Sequence, residues 1–170
     1  MQTERARQND GKPTAFEVKG QLELNDIGMT VTARADRIDV TQSGGLIIYD
    51  YKTGSAPSPK EQMEYERQLL IEAVIAENAG FDKLEPSLVS AAWYISVKND
   101  PDLRPAPLDD APTAQVRDEL RQLLASYLQA EQGYLSRRAP KSEANSLDYD
   151  QLARFGEWEA SDIGVPEVIK

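Results

Sequence analysis

Apolar and polar residues alternate from Thr14 to Asn25, "TAFEVKGQLELN", with Phe16, Val18, Leu22 and Leu24 on one side. That is the period of a half-buried strand. It returns over Met29 to Val40, "MTVTARADRIDV", and the turn cluster "TQSGG" then leads into a third strand, "LIIYDYK". Three successive strands with short turns predict a meander. The pattern next turns helical. Ser58 is a candidate N-cap, Pro59 suits the first helical position, Glu61 completes a capping box and Gly80 supplies the stop, so one helix is expected from Ser58 to Ala79. Met63, Leu69, Leu70, Ala73 and Val74 give it an apolar face. "LVSAAWYISVK", Leu88 to Lys98, alternates again and predicts a fourth strand; because a helix intervenes, a crossover to a parallel or mixed neighbour is expected.

"NDPDLRPAPLDDAP" is a loop by its prolines and aspartates. From Thr113 to Gln132, residues Val116, Leu120, Leu123, Leu124, Tyr127 and Leu128 recur at helical spacing, so an amphipathic helix should cover the sheet. "DYDQLARFGEWE" holds a short helical pattern, and the tail from Ser161 to Lys170 has none. The expected architecture is α/β: residues 1–13 an extension or helix remnant, 14–160 one domain around a central mixed sheet with an antiparallel hairpin, and 161–170 a tail.

Composition narrows the chemistry. The 170 residues are 40% hydrophobic and 28% charged, enough for one globular domain with a core. No apolar run approaches the roughly 18 residues of a membrane span, nor is there a secretory signal, so a cytoplasmic home without membrane contact is the expectation. With no cysteine and no histidine, thiolate and imidazole chemistry are excluded, and any metal must sit on oxygen ligands, as Mg²⁺, Mn²⁺ or Ca²⁺ do. A net charge of −10 argues against a surface that grips nucleic acid everywhere; phosphate contacts must be local or go through a cation.

The hairpin supplies such a place. If its turn centres on Ser43, opposed residues have numbers summing to 86, and Asp36 faces Asp50. Alternation puts Asp50 on one face with Lys52, Ile48 and Leu46, and Asp36 with Ile38 and Val40. Opposed carboxylates repel, more so when partly buried, so positive charge is required between them. Lys52 supplies part; a divalent cation held by both acids offsets more, and Mg²⁺ is bound by one or two carboxylates plus waters and phosphate oxygens. Phosphodiester hydrolysis fits, with Lys52 assisting the attacking water. The plainer alternative is a surface ion cluster in which Arg34 or Arg37 balances the acids.

"ADRID", an apolar strand ending "DYKTG", and a helix carrying "RQLLIEA" resemble the PD-(D/E)XK nuclease superfamily, most closely the RecB-like nuclease domain at the C-terminal end of AddB-type helicase-nuclease subunits. "GYLSRRAPK" and "DYDQLARFGEW" are similar to the terminal segment of that domain, so the resemblance runs from about Phe16 to Trp158. It implies a restriction-endonuclease-like core and a Mg²⁺-dependent DNA exonuclease, with Mn²⁺ as substitute, serving recombinational double-strand break repair beside an AddA-like subunit. It also implies roles. Asp36 and Asp50 match the metal-binding acids, the Tyr51 carbonyl a further ligand, Lys52 the motif lysine, and Gln68 a helix glutamine that orients the site or contacts DNA. Glu17 falls where related domains often carry an acid, although an outward strand residue explains it as well. Asp39 faces away from Asp36 and reads as structural; Trp93, Tyr94 and the leucines of the last long helix read as core. Related domains often add an upstream histidine ligand, and some carry an iron-sulfur cluster; this chain has the residues for neither. Two rivals keep the fold: a structural or DNA-guiding module without catalysis, and a free-standing nuclease with other substrates.

Overall fold

The computed structural model describes residues 11–98, 102–132 and 157. Its frame is a five-stranded sheet in the order β1-β2-β3-β4-β5. β1 (Lys12–Leu24), β2 (Met29–Val40) and β3 (Leu46–Lys52) form the antiparallel meander. β4 (Val89–Ser96) runs parallel to β3 after a helical crossover, as a strand returning through a helix should. The fold is α/β, a mixed sheet with flanking helices consistent with a restriction-endonuclease-like core. The hairpin register is the one expected: Arg37↔Tyr49, Ile38↔Ile48, Asp39↔Ile47 and Val40↔Leu46.

Three elements differ from the sequence reading. The first expected helix is two, α1 (Pro59–Glu64) and α2 (Gln68–Asn78). The Ser58 capping box starts α1 as predicted, but the run breaks at Tyr65–Arg67, where the Tyr94 hydroxyl of β4 meets the backbone. The Tyr94 hydroxyl donates to the Glu66 carbonyl in the break at 2.9 Å and accepts from the Leu69 amide at 3.2 Å, satisfying one of the N–H groups that a helix start leaves orphaned. Gly80 does end α2, with φ 78; a side chain there would come within 2.3 Å of the Leu84 carbonyl oxygen. Second, the proline-rich loop contains β5 (Leu103–Pro105), antiparallel to β4, whose outer edge was open to pairing. Third, the last helix, α3 (Thr113–Ser126), buries only Val116 among its residues, and Leu123 and Leu128 are exposed rather than core.

The chain divides into two compact units, Met1–Arg121 and Gln122–Lys170. The sheet and α2 lie wholly in the first. The expected "DYDQLARFGEWE" helix and the tail fall outside the described residues, apart from Glu157.

The core lies between α2 and the sheet. α2 is apolar on nearly every side, with Leu69, Leu70, Ala73, Val74, Ile75 and Ala76 buried, the composition of an enclosed helix. At the far end of the hairpin the packing is closer still: a Cβ on Gly20 would meet Ile75 and Phe81 at 2.7–2.8 Å. Gly20 pairs with Ala33, so Ala33 faces α2, yet Lys52 and Tyr94 also reach α2 from the face that carries Ile48 and its partner Ile38. Ala33 and Ile38 are an odd number apart, so the alternation in β2 slips once between them. Glu17, with φ 49, stands across from Asp36 in the β1–β2 register and marks the slip in β1.

Candidate active site

Asp50 and Lys52 lie two apart on β3, so both side chains leave the same face, toward the start of α2. Lys52 Nζ is 3.0 Å from Asp50 Oδ2 and donates to Gln68 Oε1 at 2.9 Å. It also sits 5.3 Å from the centre of the Tyr94 ring, a cation–π distance. Gln68 Nε2 in turn donates to Glu72 Oε1 at 3.0 Å. The break before α2 makes this possible, since Tyr94 fixes the helix start one residue from Gln68. The chain of contacts is Asp50, Lys52, Gln68, Glu72.

Asp36 occupies the step beyond the last recorded β2–β3 pair, Arg37↔Tyr49. Its Oδ2 accepts the Tyr51 amide at 2.8 Å, a side-chain bond where the ladder would have continued. Val97 donates its amide to the Lys52 carbonyl, so Lys52 turns its backbone groups to β4, and Tyr51, one residue earlier, turns its own toward β2. The Tyr51 carbonyl is thus on the same side as Asp36.

Burial sets the electrostatics. Asp50 is 4% exposed, which removes the surface-cluster alternative. Desolvation pushes its carboxyl above the ordinary value; Lys52 pulls the other way and the Asp36 charge adds to the rise. The Lys52 ammonium, 3.0 Å from Asp50 Oδ2, is poorly aligned as a donor, and Lys52 and Gln68 both act as donors that hold the Asp50 carboxyl down against its desolvation. Arg37 and Arg34 do not fill that role in the contacts described: Arg37 forks Asp39 through two 2.7 Å bonds, and Arg34 pairs with Glu17 at 3.0 Å in the open. Asp39 is therefore part of a buried pair on the other face, and Glu17 is an exposed strand residue.

A buried carboxylate oxygen met only by a poorly aligned ammonium, next to a second acid and a backbone carbonyl at an opened ladder end, fits a hard divalent cation. Among the described residues no three or more Asp or Glu converge as a metal site, so water and substrate oxygens would complete the shell. A groove of about 740 Å³ runs past Lys19, Thr32, Arg34 and Phe81, away from this chemistry. The site is a strand end rather than a cavity.

Glu72 was missed from sequence. It is 1% exposed, and burial pushes its carboxyl up to about 7, Gln68 opposing and the charges of Asp50 and Asp36 adding. The signal was an acid inside "LLIEAVIA", one helical turn from Gln68. Tyr94, read as core, is buried as expected, but its hydroxyl positions α2, and burial lifts that hydroxyl to about 12.

A mixed α/β sheet whose central strand ends in an acid and a lysine is consistent with a restriction-endonuclease-like core. The profile of the PD-(D/E)XK nuclease superfamily matches residues 1–143, and the chain belongs to that superfamily. Membership suggests a nuclease, and enzymes of this kind typically use divalent metal ions. An uncharacterized protein of Rickettsia conorii is 39% identical over 80 residues, 45% of this chain and 10% of the relative. One from Rickettsia felis is 37% identical over 89 residues, 50% of this chain and 10% of the relative. The matched part therefore spans about a tenth of these relatives. Among the described residues no helix is long and apolar enough to cross a membrane.

Proposed function

We propose that the chain is a metal-dependent deoxyribonuclease module, an exonuclease of the AddB type that acts in the cytoplasm during recombinational double-strand break repair. The observation that carries the chemistry is Asp50: buried, its carboxyl pushed up by desolvation, with the poorly aligned Lys52 ammonium 3.0 Å from Oδ2. Asp36, Asp50 and the Tyr51 carbonyl would hold Mg²⁺, with Mn²⁺ as substitute. When bound, the ion would supply Lewis-acid polarisation of the scissile phosphate and a more acidic attacking water. Lys52 directs its ammonium at the charge that develops on the phosphate oxygens, and Gln68 keeps that ammonium in place. The AddB assignment rests on the "ADRID", "DYKTG" and "RQLLIEA" resemblance together with relatives many times longer than the matched segment. With a charge of −10, DNA delivery falls to the rest of such an assembly, including an AddA-like subunit.

The test is degradation of end-labelled single-stranded DNA by the full-length native protein, with Mg²⁺ or Mn²⁺ against a chelator, beside Lys52→Ala and Asp50→Ala. Cleavage should require metal and fall at least about a hundredfold in either variant. Folded variants that cleave like the native protein would sink this reading; a native protein that binds metal through Asp50 without cleaving would favour a DNA-guiding module.

A further inference from the structure

A glutamine side chain has an acceptor end and a donor end, and a lysine ammonium has donors only. Gln68 must therefore face Lys52 with Oε1, as it does at 2.9 Å. Turned over, its NH₂ group would oppose the ammonium. The amide needs a second anchor to exclude that state; Glu72 Oε1 takes Nε2 at 3.0 Å, with the Asp50 carboxylate a further acceptor beside the same amide. We propose that Glu72 is a positioning residue of this site, fixing which end of the Gln68 amide meets Lys52 and so holding the ammonium beside Asp50. This rests on the nuclease reading for its consequence in turnover, though not for its geometry.

Three observations support it. Glu72 is 1% exposed on a helix whose other buried side chains are apolar, and its Oε2 has no hydrogen-bond partner. Burying a carboxyl so incompletely satisfied is costly, and a leucine would suit that environment better. The helix start does not need it, because Tyr94 already holds the Glu66 and Leu69 backbone. What Glu72 adds is its contact with the Gln68 side chain. It lies too deep to touch a DNA strand, and whether protonated or ionised it keeps an oxygen that accepts from Nε2.

The experiment compares Glu72→Leu and Glu72→Gln in the full-length protein, reading thermal stability, DNA cleavage and the Gln68 side-chain NH₂ signal after selective ¹⁵N-glutamine labelling, assigned with Gln68→Ala. Glu72→Leu should raise Tm, lower kcat about tenfold to a hundredfold with KM little changed, and shift the Gln68 signal with faster amide exchange. Glu72→Gln retains an acceptor oxygen and should keep native turnover and a native-like Gln68 signal. In a Gln68→Ala background, Glu72→Leu should have no further effect on kcat. A purely structural Glu72 predicts the opposite pattern: a fall in Tm with an unmoved Gln68 signal and unmoved kcat. Loss of turnover in Glu72→Gln equal to that in Glu72→Leu would also overturn the proposal, since charge rather than amide orientation would then be at work. If the native protein does not cleave DNA, the nuclease reading fails while the Gln68 signal still decides the geometry.

Discussion

The hairpin carries two acid–base pairs on opposite faces, and they are built differently. Arg37 and Asp39 are closed: the two bonds between them are 2.7 Å, Arg37 Nη1 also donates to the Tyr51 hydroxyl at 3.3 Å, Asp39 is fully buried, and Arg37 stacks 4.9 Å from the centre of the Tyr49 ring. Asp50 and Lys52 are open: a single, poorly aligned contact of 3.0 Å at Asp50 Oδ2, and a second acid nearby. Sequence composition is the same in both, an acid and a base two residues apart. The difference lies in how far each carboxylate is satisfied, and an unsatisfied buried carboxylate is the one with capacity left for a ligand.

The strongest way to break the comparison is to remove each acid. Asp39→Ala takes the carboxylate from a buried guanidinium that keeps Tyr51 and the Tyr49 ring, and should cost about 3 kcal/mol of stability in denaturant unfolding. Asp50→Asn removes a carboxylate whose burial is poorly compensated, so in chelator its stability should match or exceed the native value. Equal losses from both substitutions would mean that Asp50 is a structural pair like Asp39.

The open side should also respond to pH. The Glu72 carboxyl has a folded pKa raised from 4.5 to about 7, so the folded state holds the proton more tightly than the unfolded chain. The stability this contributes is fully present below about pH 4.5 and is lost as pH rises through 7. Its size is on the order of 3 kcal/mol. Asp50, also raised, changes stability in the same direction. Unfolding measured in chelator from pH 4.5 to 8 should therefore show a decline that is shallower in Glu72→Gln, while Asp39→Asn leaves the slope contributed by Glu72 in place. A native curve with no decline over that range would contradict a raised Glu72.

The hairpin and its acids were legible because local rules fix them. The "TQSGG" turn sets the register, and period-two alternation then puts Asp50 and Lys52 on one face. Residues whose placement depends on distant partners were not. The break between α1 and α2 is held by Tyr94, far along the chain, within a pattern that reads as one helix. β5 is three residues with a proline, below any periodic signal, and exists because β4 offers an edge. The leucines of α3 have helical spacing, yet its polar contacts, Arg67 with Glu119 and Thr113 with Glu77, do more to place its first turns than Leu123, which is exposed. Glu72 was hidden because a carboxyl on an apolar face looks like an interruption until Gln68 is seen beside it.

The smallest effect is expected at Glu17, where the strand across from Asp36 takes a left-handed turn. A non-glycine residue at φ 49 inside a strand is strained by about 1 kcal/mol, which glycine relieves. Glu17→Gly also removes the ion pair with Arg34, but both side chains are more than half exposed, so that contact contributes little. The expected outcome is a gain of up to about 1 kcal/mol, reduced by the greater freedom glycine has in the unfolded chain. Glu17→Ala removes the same ion pair and keeps the strain, so it should lie at or below native stability. If alanine stabilises as much as glycine, the left-handed backbone is not the source, and the slip that turns Asp36 toward the open side has another cause than β1 at Glu17.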